Sequence, residues 1–100
     1  MSYRIMFPFL WEEIHAENDN VDVCIETEDG QHYTLVIATP EYLKTRMQRD
    51  ALPFLYPSLP FLFVEKLTKE NILRLVDQLM KEDPQLLRIY GTDLTDPEAP

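Results

Sequence analysis

The sequence predicts a small single α+β domain, a β-hairpin followed by helix, strand and helix, with a mostly antiparallel sheet and the helices on one face. Three observations predict it. Residues 21–38 hold two stretches of period-two alternation around Asp29-Gly30, the pattern of half-buried strands joined by a turn. Residues 69–82 repeat their apolar side chains at helical spacing. The chain has 100 residues, 45% of them hydrophobic, which suits one domain with one core. Residues 1–91 are read as that domain. Residues 92–100, with three acids and two prolines, are read as an acidic, flexible C-terminal tail.

At the N-terminus Tyr3, Ile5, Phe7, Phe9 and Trp11 alternate like a strand, while Pro8 suits the start of a helical turn. The expectation is a short strand to about Phe7, then a helical turn or loop over 11–20. The apolar run 5–11 is interrupted by Pro8 and closed by Glu12-Glu13, and no small-x-small site follows it, so it is a poor signal peptide. No stretch approaches the roughly 18 apolar residues that span a bilayer. A soluble, cytoplasmic protein is expected, with no membrane association.

In the hairpin Val21, Val23, Ile25 and Thr27 alternate with Asp22, Cys24, Glu26 and Glu28. A two-residue Asp29-Gly30 loop would pair Val23 with Val36 and split the apolar residues between faces. A three-residue loop, 28–30, with Gly30 in the left-handed region as a bulge, pairs Val21 with Ile37, Val23 with Leu35 and Ile25 with Tyr33. That register makes one face uniformly apolar and is the one expected.

Thr39-Pro40-Glu41 is a helix start: a hydroxyl N-cap, proline at the first helical position and a carboxylate in the first turn. The helix should run to about residue 50, with Leu43 and Met47 inward and Tyr42, Arg46 and Arg49 outward. Three prolines make residues 52–60 an extended apolar connection, and 61–64 is a buried strand. The connection from the hairpin is long enough for a right-handed crossover, which would add one parallel pair. Thr68 caps the 69–82 helix, whose inner arc holds Ile72, Leu73, Leu75, Val76, Leu79 and Met80, and Asp83-Pro84 ends it. Residues 85–90 suit either a short docked helix or a final edge strand.

The formal net charge is −9, and it is unevenly spread. Between residues 12 and 29 there are eight carboxylates, Glu12, Glu13, Glu17, Asp19, Asp22, Glu26, Glu28 and Asp29, and no lysine or arginine. Such a balance repels nucleic acid and favours a basic protein partner, whose association it would speed and salt would slow. The stripe Tyr42, Arg46 and Arg49 is small against that charge, so no nucleic acid is expected. The acids do not fit the spacing of a calcium loop. Glu12 and His15 would share a helix face near Glu17 and Asp19, yet the further ligands of a metal site are missing, so neither metal nor cofactor is expected.

Catalytic constellations are also missing. Cys24 alternates with acids that would raise a thiol pKa, and Ser2 and Ser58 have no nucleophile turn around them. His32 should stand opposite Glu26 as a cross-strand pair. No catalytic residues are expected and the chain is read as non-enzymatic; the alternative is a small enzyme or ligand-binding domain using His32 and Glu26 beside the hairpin. A further alternative is a homodimer joined through the apolar 52–63 segment by Phe54, Leu55, Tyr56 and Leu59, so the chain is expected as monomer or homodimer. In size and charge this cysteine-poor α+β chain is similar to the immunity proteins that neutralise basic bacterial toxins. The carboxylate run leads to the reading of a protein-interaction module that docks a basic partner through an acidic face around the 21–38 hairpin.

Overall fold

The computed structural model describes residues 2–55, 61–82 and 86–93. Strands β1 (Tyr3–Met6), β2 (Asn20–Thr27), β3 (His32–Ala38) and β4 (Phe61–Phe63) lie side by side in that order, and β5 (Gly91–Asp93) also pairs with β3. β4 is parallel to β3 and every other pair is antiparallel. The α+β class, the mostly antiparallel sheet and the order of elements are those the alternation and helical spacing predict. The single parallel pair is the one the 39–60 connection allows.

The hairpin adopts the three-residue loop. Val21 stands opposite Ile37, Val23 opposite Leu35 and Ile25 opposite Tyr33, while Gly30 has φ +85°. Thr27 N–H donates to the Gln31 carbonyl at 2.9 Å and closes the loop. A two-residue loop would have turned half of these apolar side chains to solvent, and that cost fixes the register. All six paired residues are buried, and together they form one wall of the core.

The other wall comes from α2 (Lys69–Glu82), through Ile72, Val76, Leu79 and Met80, and from Leu87 of α3 (Leu86–Tyr90). Thr68 caps α2, its hydroxyl accepting from Asn71 N–H at 3.1 Å. Leu73, at the border of the expected inner arc, is 38% exposed. Of the two options for 85–90 the chain takes the short helix, five residues long, and β5 follows it directly, beyond that segment. Gly91 permits this junction: a Cβ there would meet the Leu87 carbonyl oxygen at 2.7 Å and the Tyr33 and Leu35 side chains at 3.2 Å. Pairing with β3 continues to Asp93, two residues into the segment expected to fray, because β3 offers a free edge at Tyr33–Leu35 beside β4. Residues 83–85 and 94–100, with the expected helix stop and the rest of the tail, lie outside the described residues.

Helix α1 (Pro40–Arg49) starts as expected. The buried Thr39 hydroxyl accepts from Tyr42 N–H at 3.2 Å and from Asp19 N–H at 3.4 Å. The helix ends in paired bonds from Ala51 N–H to the Gln48 carbonyl and from Leu52 N–H to the Met47 carbonyl, with Ala51 at φ 55°. One expectation fails here. Tyr42 and Arg46 are half-buried together with Leu43 and Met47, and no residue of the helix is fully buried. The apolar body of Tyr42 and the methylene stem of Arg46 widen the inner stripe, a contribution that counting charges leaves out.

Candidate functional site

The sheet treats the two halves of β2 differently. β1 pairs with its second half only, from Tyr3 opposite Thr27 to Met6 opposite Cys24. Continued two steps, that register would place Phe7 opposite Val23 and Pro8 opposite Asp22. Backbone alternation makes the second step decisive. Thr27 bonds across to β3, so odd-numbered residues of β2 face β3 while Asn20, Asp22, Cys24 and Glu26 turn their main-chain groups toward β1. Asp22 would need a donor opposite it, and proline has no N–H to give. The ladder stops at Met6 opposite Cys24 and the chain bends at Phe9, and the outer edge of Asn20–Val23 has no strand partner among the described residues.

Beside that open edge lies a depression of about 380 Å³, lined by Pro8, Phe9, Ile14, Asn20 and Val21 and by the acidic residues Glu13, Asp19 and Asp22. Phe7, Phe9 and Trp11 stack next to it, with ring centroids 4.9 to 5.9 Å apart, and Trp11 and Leu10 remain exposed. The one helical turn of this region is the 3-10 turn Trp11–Glu13. Among the described residues no lysine or arginine lines the depression.

The eight acids thus separate into groups. Glu13, Asp19 and Asp22 share the depression, with Glu12 exposed on the adjoining turn. Asp19 is partly engaged, accepting from His15 N–H at 3.0 Å and from Asn20 N–H at 2.8 Å. At the far end of the hairpin Glu26 meets Arg4 at 2.6 Å and His32 at 3.1 Å. Asp29 accepts from the Thr27 hydroxyl and from Gln31 N–H, which ties it into the loop. Glu17 lies 3.4 Å from Lys66. Glu12, Glu13, Asp22 and Glu28 make no ion pair among the described residues. Counting charge along the segment hides these pairings, because Arg4 reaches Glu26 through the β1–β2 register and Lys66 arrives from beyond β4.

His32 and Glu26 form the cross-strand pair that the register requires. A second, more open depression of about 220 Å³ is lined by Tyr3, Arg4, Glu26 and Glu28, and His32 does not line it. Glu12 and His15 do not share a helix face, since the turn stops at Glu13 and Ile14 is extended at φ −96°, ψ 152°. No group of three metal-ligating side chains occurs among the described residues. Cys24 is half-buried with its sulfur 4.0 Å from the Thr34 hydroxyl.

In the proposed apolar interface Phe54 is 52% exposed and Leu55 is half-buried, while Tyr56 and Leu59 lie outside the described residues. No helix among the described residues is long and apolar enough to cross a membrane. Compared with known proteins, the chain matches no family model, no curated protein and no solved structure.

Proposed function

We propose that this chain is a non-enzymatic interaction module that docks a basic protein partner, and that Glu12, Glu13 and Asp22 are the carboxylates that meet it first. The observation that carries this reading is the depression beside the open half of β2, where apolar and acidic residues occur together with no lysine or arginine among the described residues. A docking surface needs both components. The carboxylates steer a cationic partner and set its orientation, and the apolar contacts supply affinity that salt does not screen. Glu26, Asp29 and Glu17 contribute less to such a surface, because each is already answered by a group of this chain.

The test is capture of the partner from native extract on the immobilised chain. The bound protein should be basic, and its association should slow as salt rises, because the Debye length shortens from about 10 Å at 0.1 M to about 3 Å at 1 M. Reversing Glu12, Glu13 and Asp22 to lysine should reduce capture by about tenfold or more while thermal unfolding stays cooperative. Capture that is indifferent to the reversal and to salt would end the proposal.

A further inference from the structure

We infer that the depression beside Asn20–Val23 is a strand-addition site, which takes a short extended segment of the partner carrying a lysine or arginine. This rests on the docking reading above and specifies how docking occurs. The backbone points to it first. Pro8 ends the β1 ladder one hydrogen-bonded position short of Asp22, so the main-chain N–H and C=O of Asp22 face a space that no strand of the described residues fills. Its neighbour on that side, Asn20, already has its N–H answered by the Asp19 carboxylate at 2.8 Å. Asp22 is therefore where an added strand gains a donor and an acceptor, as in recognition by β-augmentation.

The lining points the same way. Phe9 and Ile14 offer half-buried apolar surface to alternate side chains of a bound segment. Glu13 and Asp22 line the same depression and make no ion pair among the described residues. A lysine or arginine satisfies both features, laying its methylene stem on the apolar surface and its charged head against the acids. An apolar strand would leave the acids desolvated without a partner, and an acidic strand would be repelled.

The experiment uses the full chain and the blocked peptide acetyl-Thr-Arg-Val-Arg-Thr-amide, followed by amide chemical shifts. Saturable shifts should appear at Phe9, Ile14, Asn20, Val21 and Asp22, and exchange of the Asp22 amide should slow by about tenfold or more. Replacing both arginines by norleucine, or methylating the backbone nitrogens of the three central residues, should each weaken binding by about tenfold. The double variant Glu13→Gln, Asp22→Asn should weaken the arginine peptide and leave the norleucine peptide unchanged. If that variant loses its fold, the two altered peptides on the unaltered chain decide. Shifts that are absent or centred elsewhere, or equal affinity of the norleucine or methylated peptide, overturn the inference. Partner capture lost on charge reversal with no peptide binding would leave the docking reading standing and refute strand addition. Peptide binding with unchanged capture would do the reverse.

Discussion

In the 24–27 half of β2, Glu26 meets Arg4 and His32, β1 covers the outer edge, and β5 backs the facing stretch of β3 at Tyr33–Leu35. In the 20–23 half, Asp22 has no cation partner among the described residues, β1 has turned away, and the strand borders a depression. Both halves come from one continuous run of carboxylates and buried valine or isoleucine. The difference lies in what the rest of the chain brings alongside. Arg4 answers Glu26 in the first half, while in the second Pro8 interrupts the β1 register and no counter-charge meets Asp22 among the described residues.

Core truncation measures the contrast most strongly. Ile25, fully buried opposite Ile5 and Tyr33, should cost about 2–5 kcal/mol as Ile25→Ala, whereas Val21→Ala, under the open half, should cost about 1–2 kcal/mol. Urea unfolding of the two variants checks the order, and equal losses would mean that the halves are packed alike. Gly91→Ala should destabilise by about 1–3 kcal/mol, because its methyl meets the Leu87 carbonyl oxygen and the β5 backing of the closed half must shift. Arg4→Ala should cost less than about 1 kcal/mol, since its bond to Glu26 is exposed to solvent, and the loss should shrink further in high salt.

The smallest effect is on pH dependence. Burial first, and then the nearby Asp77 carboxylate, hold the Tyr3 hydroxyl pKa above its ordinary value of 10.0. The folded state therefore keeps this proton more tightly than the unfolded chain does. The resulting stability is complete below the unfolded value and is lost as pH rises through the higher folded value. Unfolding free energies measured from about pH 9 to 12 should fall less steeply for Tyr3→Phe than for the parent chain. Identical slopes would show that this end of β1 is not sheltered against α2.

Much of this architecture is legible in the residues. Alternation of Val21, Val23 and Ile25 with polar neighbours, together with Gly30, identifies the hairpin and its register, because a one-residue slip would expose the apolar face. Thr39 and Thr68 announce their helices by cap chemistry alone. Less legible are features that depend on distant segments. The pairing of Glu26 with Arg4 needs β1 aligned on β2, and the burial of Tyr42 and Arg46 needs a neighbour for α1. The open edge is a mixed case. Pro8 is visible in the sequence as a strand breaker, but its effect on Asp22 emerges only when the β1–β2 register is known.

Amide hydrogen exchange of the unliganded chain distinguishes a β2 that is closed along 24–27 and open along 20–23 from one covered along its whole length. Cys24, Glu26 and Asp22 all point their N–H groups away from β3, so the measurement compares like with like. The amides of Cys24 and Glu26 should be protected about a hundredfold or more relative to Asp22. Protection of Asp22 equal to that of Cys24 and Glu26 would show that the 20–23 edge is covered and that β2 has no open half.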